Sequence, residues 1–144
     1  EKVESLLNKE SGLKGICGVN DMREIQERAG QGDERAMLAF DMFCYRVKKY
    51  IGAYHAVLGR LDAIVFTGGI GENSAPVRSC VCKGLRHLGI TLDEGRNGGI
   101  PGKAAEIQEE GAPVRVLVVR TDEELEIALQ AEAVMEKRGK GGTP

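Results

Sequence analysis

The chain has 144 residues, of which 42% are hydrophobic and 29% are charged, and its formal net charge is −2. This length fits one domain with its own core, and a small negative net charge gives no basic field for binding nucleic acid. No apolar run approaches the roughly 20 residues that span a bilayer, and the N-terminus lacks a signal-peptide pattern, so we expect no membrane partner and a cytoplasmic location. Because the first residue is Glu and the sequence opens in a helical pattern, we expect a piece of a longer protein.

The cysteines and histidines indicate neither a metal site nor disulfides. The spacing of the four cysteines fits no zinc or disulfide framework, which favours reduced structural thiols at Cys17, Cys44, Cys80 and Cys82. The two histidines, His55 and His87, lie far from any carboxylate cluster in the sequence. We therefore expect them to pack against helices or lie at the surface.

The first half of the chain reads as helical. A helix over residues 1–9 is broken by the glycines of residues 10–15, after which we expect a loop, and a short helix capped by Asn20 or Asp21 ends at the glycines of residues 30–32. Asp33 caps a long helix with a broad apolar stripe. We predict that this stripe lies in the core, and its members are Ala36, Met37, Phe40, Phe43, Val47, Tyr50, Ile51, Tyr54 and Leu58.

The second half alternates strands and helices. Residues 63–66 and 114–119 predict buried strands, and residues 89–112 are irregular, with Ile90 and Ile107 in short edge strands. Asn73 or Ser74 is expected to cap the helix after the first strand. Thr121 is expected to cap the last helix, with Glu124 at the third helical position. The alternation predicts an α/β domain with ligand chemistry at the carboxyl ends of the strands, and residues 138–144 are predicted to be a flexible tail.

A glycine-rich segment joins the first predicted strand to the next helix. Its glycines at positions 68, 69 and 71 leave room for close approach of a ligand, and the helix that follows offers free N–H groups. These residues alone favour a phosphate site, with a tight turn that binds nothing as the alternative. A partial dinucleotide fingerprint over residues 69–74, with Asp93 downstream, is a weaker hypothesis because Ser74 replaces its third glycine.

Six segments in collinear order resemble the C-terminal part of acetate kinases. They are residues 8–13, 21–23, 45–54, 66–74, 77–78 and 121–128. The resemblance covers essentially residues 3–134. It implies a ribonuclease-H-like α/β fold, as in actin, sugar kinases and heat-shock ATPases, with residues 1–137 forming part of the C-terminal nucleotide-binding domain.

The resemblance also implies a function. Members of this family are homodimers that use ATP and Mg²⁺ to convert acetate into acetyl phosphate and ADP. A propionate kinase of the same family, and a noncatalytic nucleotide-binding module of the superfamily, are the alternatives. The family's catalytic residues match positions upstream of this chain, so we assign none here and expect the isolated chain to be inactive.

The residues that match the family's nucleotide site fall into three groups. The resemblance implies that the nucleoside contacts a first segment, Asp21, Met22 and Arg23, and that adenine and ribose lie on a second segment, Gly69, Ile70, Gly71, Glu72 and Asn73. It implies that Glu123 belongs to the magnesium site, whereas its alternative role is a favourable charge in the first helical turn. Arg78, on the helix after the glycine-rich segment, stays open between a role in the site and a purely structural role as a surface or buried ion-pair residue.

Overall fold

The structure is a computed structural model that describes residues 2–140, with side chains described through residue 135. The helices and strands follow one another along the chain in this order: α1 (Lys2–Lys9), α2 (Gly12–Cys17), α3 (Met22–Gly30), α4 (Glu34–Leu58), β1 (Ala63–Phe66), α5 (Gly68–Asn73), α6 (Ala75–Cys82), a 3-10 turn (Arg86–Leu88), α7 (Glu94–Gly98), β2 (Ala104–Glu106), β3 (Arg115–Val119) and α8 (Glu123–Lys140). Within residues 2–140, no helix is both long and apolar enough to cross a membrane.

The three strands form one sheet in the order β1-β3-β2. Strand β1 runs parallel to β3, with Ala63 opposite Arg115, and β2 runs antiparallel to β3, with Ala104 opposite Val119. Both main strands predicted from the sequence are present, and the helices between them make the crossover that a parallel pair requires. The α/β prediction is therefore confirmed.

Burial differs between the two faces of the sheet. The central strand β3 buries Val116 and Val118 completely, as predicted. Strand β1 lies at the edge, and Val65 on it is half exposed while Phe66 is buried. The prediction of a buried first strand is wrong for Val65, because Val65 lies on the opposite face of the sheet from Phe66, beside the partly exposed Leu117.

The apolar stripe of α4 is only partly in the core, so that prediction is also corrected. Helices α2, α3 and α6 pack against α4, and its buried residues are Ala36, Ala39 and Cys44 in its first half. Tyr50 and Tyr54 in the second half are more than half exposed. The members of the stripe that are exposed are Met37, Tyr50, Tyr54 and Leu58, and those that are partly buried are Phe40, Phe43, Val47 and Ile51.

The predicted break over residues 10–15 is shorter than expected, because α2 begins at Gly12, and the predicted loop follows only after Cys17. Gly12 adopts φ +62° and starts a new helix after a short break, and Cys17 at its end is buried. The helix ends at Gly18, whose N–H donates to the Lys14 carbonyl from a left-handed conformation. Packing of Leu13 against the core outweighs the low helix propensity of the glycines.

The segment of residues 89–112 contains one strand and a short helix. Ile90 and Ile107 are completely buried but lie outside the strands, so their placement in edge strands is wrong. Strand β2 ends at Glu106, immediately before Ile107. The unpredicted helix α7 begins after Asp93, whose Oδ1 accepts a hydrogen bond from the N–H of Arg96.

The last helix begins one residue later than its predicted cap allows. Asp122, not Thr121, caps α8 by accepting a hydrogen bond from the N–H of Leu125 (3.1 Å). Thr121 instead binds a residue of α5, as described below. The backbone of α8 continues through Lys140, beyond the start of the predicted tail, and residues 141–144 lie outside the described residues.

Candidate functional site

Six of the eight residues predicted to contact the nucleoside meet in a cleft between the start of α3 and helix α5. The cleft has a volume of about 370 Å³ and is lined by Asp21, Met22, Arg23, Gln26, Gly69, Ile70, Asn73 and Ser74. The fold therefore joins the two segments that sequence similarity assigned to the nucleoside, although they lie far apart in the chain. Gly71 and Glu72 are the predicted residues of these segments that do not line it.

The predicted glycine-rich loop is itself a short helix, α5. Gly68 turns the chain out of β1 with φ +70°, a conformation that favours glycine. A Cβ atom on Gly69 would meet nothing within 4 Å, so the backbone there is open toward the cleft. A Cβ atom on Gly71 would lie 3.2 Å from the carbonyl carbon of Phe66, so this glycine permits packing against β1 rather than ligand approach.

The buried Arg78 fixes the end of α5. Its Nη1 donates hydrogen bonds to the carbonyl oxygens of Gly71 (2.8 Å) and Glu72 (3.0 Å). Carbonyl groups in the last turn of a helix have no intrahelical partner, and the guanidinium supplies one. Arg78 is only 2% exposed, and burial lowers its pKa. Arg78 is therefore buried rather than at the surface, and its hydrogen bonds go to neutral oxygens rather than to a carboxylate.

Asn97, at the end of α7, holds Arg78 in place. Its Oδ1 accepts from Arg78 Nε, and its backbone oxygen accepts from Arg78 Nη2, both at 2.7 Å. The Asn97 amide donates in turn to the carbonyl of Ala75 (3.1 Å) and to Ser79 Oγ (2.8 Å). Sequence reasoning missed Asn97, because an Asn between Arg96 and Gly98 reads as an ordinary turn residue.

Glu72 is partly buried and joins α5 to the turn between β3 and α8. Its Oε1 accepts three hydrogen bonds of 2.8 Å, from the N–H of Gly68 and from the N–H and Oγ1 of Thr121. The hydrogen bonds from Thr121 are the main reason that the pKa of Glu72 is lowered. The carboxylate is thus engaged within the protein.

Asp21 caps α3 at the other wall of the cleft. Its carboxylate accepts from the backbone N–H of Arg23 (2.9 Å) and from the same residue's Nη2 (2.6 Å) and Nε (3.1 Å). The hydrogen bond from the Arg23 side chain, followed by the one from its backbone, lowers the pKa of Asp21 to about 2. Asp21 therefore remains a carboxylate acceptor at neutral pH.

Three further hydrogen bonds involve residues that line the cleft. Ser74 Oγ donates to Gln26 Oε1 (2.8 Å) and so ties the two walls together. The same Oγ accepts from the N–H of Val77, which confirms Ser74 as the cap of α6. Asn73 Nδ2 donates to the carbonyl of Gly69 (2.9 Å) within α5. Sequence reasoning missed Gln26 as a lining residue, although its position one turn after Met22 on α3 was a usable signal.

Glu123 lies at the first position of α8, exposed to solvent and two residues after Thr121. Among the described side chains, none forms a hydrogen bond or ion pair with its carboxylate. Within the same part of the chain, no three His, Cys, Asp or Glu residues gather into a metal cage. One open carboxylate suits Mg²⁺, which keeps several waters and is usually bound by one or two carboxylates together with substrate phosphates.

Four other cavities are lined by none of the predicted site residues. A cavity of about 520 Å³ lies along α6 and is bordered by Phe40, Ser79, Thr91 and Glu94, among others. The four cysteines are free, and three of them are buried, which fits the predicted structural role. Burial raises the pKa of the Cys82 thiol to about 12.

The chain is similar to known proteins over most of its length. The model of the acetokinase family matches residues 1–129. The chain is 61% identical over 142 residues to an acetate kinase of Syntrophobacter fumaroxidans, covering 99% of this chain and 34% of that protein. It is 54% identical over 139 residues to an acetate kinase of Streptomyces coelicolor, covering 96% of this chain and 34% of that protein.

Two solved structures are similar as well. One is the acetate kinase of Porphyromonas gingivalis, with 44% identity, a TM-score of 0.82 and coverage of 92% of this chain and 34% of that one. The other is a propionate kinase of Francisella tularensis, with 42% identity, a TM-score of 0.79 and coverage of 88% and 32%. The chain thus spans about a third of the length of the relatives it matches. These likenesses confirm the predicted fold class, part of a ribonuclease-H-like α/β protein.

Proposed function

Because the chain belongs to the acetokinase family, we propose that it forms part of the nucleotide-binding domain of an acetate kinase. The complete enzyme would transfer the γ-phosphoryl group of ATP to acetate and produce acetyl phosphate and ADP. The proposed domain comprises residues 1–137. The predicted homodimer and cytoplasmic location stay predictions.

The cleft between α3 and α5 is the observation that carries this proposal. Ile70 and the open backbone of Gly69 offer a flat, partly apolar surface against which an adenine ring can lie. Across the cleft, the ionised Asp21 carboxylate can accept a hydrogen bond from a ribose hydroxyl. A planar apolar wall facing a fixed acceptor suits a nucleoside better than a bare phosphate.

Glu123 is the residue that we propose for magnesium. Bound Mg²⁺ would neutralise charge on the nucleotide phosphates, and Glu123 would hold the ion directly or through its waters. Its carboxylate is open, and its place on the turn anchored to α5 by Thr121 supports the assignment.

The chain supplies the nucleotide side of the reaction only. Phosphoryl transfer requires positive charge at the reacting phosphoryl group, and the family residues that provide it match positions upstream of residue 1. We therefore propose that the 144-residue chain binds adenine nucleotide but produces no acetyl phosphate. The choice between acetate and propionate belongs to the full-length enzyme, and the likeness to a propionate kinase keeps propionate as the second candidate.

The test compares ligands and then activities. We expect ADP to raise the thermal unfolding temperature of the chain, and NAD⁺ at equal concentration to raise it less. The full-length enzyme should form hydroxamate-trapped acetyl phosphate from ATP and acetate, at a higher kcat/KM than with propionate. Stabilisation by NAD⁺ but not by ADP would contradict the nucleotide assignment. Acetyl phosphate formation by the isolated chain would contradict the proposal that the 144-residue chain binds the nucleotide without catalysing phosphoryl transfer.

A further inference from the structure

Glu72 connects helix α5, which lines the nucleoside cleft, to the turn that precedes Glu123. We propose that Glu72 is a positioning residue that couples the nucleoside cleft to the turn carrying Glu123, and that it makes no direct contact with the nucleotide. This inference rests on the proposed function, which it extends by assigning a residue whose side chain lies outside the cleft.

The hydrogen bonds of Glu72 converge on a single atom. Oε1 accepts from Gly68 N, Thr121 N and Thr121 Oγ1, each at 2.8 Å. Hydrogen bonds to an ionised acceptor are shorter and stronger than neutral ones. One carboxylate oxygen therefore fixes both Gly68, the first residue of α5, and Thr121, which lies two residues after the end of β3 and directly before the α8 cap.

The backbone of Glu72 is held as well. Its carbonyl oxygen accepts from Arg78 Nη1 (3.0 Å), and Arg78 is fixed by Asn97. To reach a ligand in the cleft, the Glu72 side chain would have to leave three donors. Leaving them would cost three hydrogen bonds to an ionised acceptor, of which the one from Gly68 is partly buried. The observed hydrogen bonds favour a Glu72 side chain that is fixed within the protein over one that moves to bind a ligand.

Through its hydrogen bonds, Glu72 links the α5 wall of the cleft to the turn that precedes Glu123. Gly69 and Ile70 follow Gly68 directly in α5 and line the cleft. Glu123 follows Thr121 by two residues, and Asp122 between them caps α8. A displacement of α5 is thus transmitted through Oε1 to the residues that hold Glu123, so nucleoside binding and metal binding should depend on one another.

The experiment uses the full-length enzyme with four variants: Glu72→Ala, Glu72→Gln, Thr121→Val and Thr121→Ser. Calorimetry measures ADP affinity in EDTA and again with Mg²⁺. We expect Glu72→Ala to weaken ADP binding about tenfold in EDTA, which corresponds to the loss of about one charge-assisted hydrogen bond. It should also lose most of the strengthening that Mg²⁺ gives the wild type.

The other variants separate positioning from direct contact. Glu72→Gln keeps an acceptor oxygen and should weaken ADP binding only about two- to threefold. Thr121→Val removes the hydroxyl donor and should weaken ADP binding in EDTA, whereas Thr121→Ser keeps the hydroxyl and should behave like the wild type. The double variant Glu72→Ala/Thr121→Val should bind ADP no more weakly than Glu72→Ala alone.

Each contrary result has its own meaning. Wild-type binding of ADP by Thr121→Val, or additive effects in the double variant, would overturn the coupling and assign Glu72 to the nucleotide itself. Unchanged ADP binding by Glu72→Ala would show that Glu72 has no positioning role in the site. A wild-type enzyme that binds no ADP would overturn the proposed function together with this inference. Because Glu72→Gln and Thr121→Val are nearly isosteric, they keep the test valid if Glu72→Ala fails to fold.

Discussion

Arg78 and Asn97 bind each other through both the side chain and the backbone of the asparagine. Arg78 Nε donates to Asn97 Oδ1 and Arg78 Nη2 donates to the Asn97 carbonyl, each at 2.7 Å. The third guanidinium nitrogen is thereby aimed at the end of α5, where it donates to Gly71 and Glu72. A planar group with several donors in a fixed geometry is required for this, and only arginine provides one.

Replacement of Arg78 should destabilise the fold. Arg78→Leu leaves the carbonyl oxygens of Gly71 and Glu72 without their donor, and we expect a loss of about 3 kcal/mol in the free energy of unfolding. Arg78→Lys should cost nearly as much, because an ammonium group cannot reach both Asn97 and α5. Urea unfolding measures both.

Arg86 offers a control for the loss of an arginine as such. It is mostly exposed and pairs with Glu109 at the surface, so Arg86→Lys should change the free energy of unfolding by less than about 0.5 kcal/mol. Equal effects at the two positions would contradict the structural role of Arg78.

Gly69 provides a test of the base-binding wall. A branched side chain at this position would occupy the space in which we place adenine, so Gly69→Val should raise the KM for ATP about tenfold and leave the KM for acetate unchanged. Gly69→Ala should have a smaller effect in the same direction. Stability should change little, since a Cβ atom there meets nothing within 4 Å.

Gly52, inside α4, is the comparison for Gly69. A Cβ atom at this position also meets nothing within 4 Å, and Gly52 does not line the cleft. Gly52→Ala should therefore leave both KM values unchanged. A normal KM for ATP in Gly69→Val would remove the nucleoside from this wall.

The sequence predicted the elements of the site better than its internal contacts. Caps and strands depend on neighbouring residues, so Asp33, Ser74 and the strand over β3 could be identified locally. Collinear motifs also indicated that the segments around Asp21 and Gly69 share a ligand. In the structure these two segments face one cleft.

Contacts between distant residues could not be predicted in this way. Glu72 binds Thr121, which lies 49 residues away, and Arg78 binds Asn97, 19 residues away. No local pattern marks either partner. Thr121 is an example. It and the residues that follow it match a helix-capping pattern, but its hydroxyl donates to Glu72, and Asp122 caps α8 instead.

The charge on Asp21 should make stability depend on pH. Its pKa falls from 3.8 to about 2 in the folded protein, chiefly through Arg23. A carboxyl group with a lowered folded pKa stabilises the protein above its unfolded pKa, and this contribution is lost as pH falls toward the folded value. We therefore expect wild type to exceed Asp21→Asn in stability near pH 6, and the difference to vanish between about pH 4 and pH 2.

The asparagine variant isolates the charge because Asn is also a good helix cap. Urea unfolding at a series of pH values measures the difference. Arg23→Gln removes the main cause of the shift and should reduce the pH dependence attributed to Asp21. A difference between wild type and Asp21→Asn that stays constant down to pH 2 would contradict the assignment.

Glu123 and Glu124 separate metal binding from helix stabilisation. Both are exposed carboxylates in the first turn of α8, where negative charge is favourable to the helix. We expect Glu123→Ala in the full-length enzyme to raise the Mg²⁺ concentration for half-maximal activity about tenfold, and Glu124→Ala to leave it unchanged. The two variants should lose the same small amount of thermal stability, because they remove the same charge from the same helix end. An equal Mg²⁺ requirement in both variants would leave Glu123 with the helical role alone.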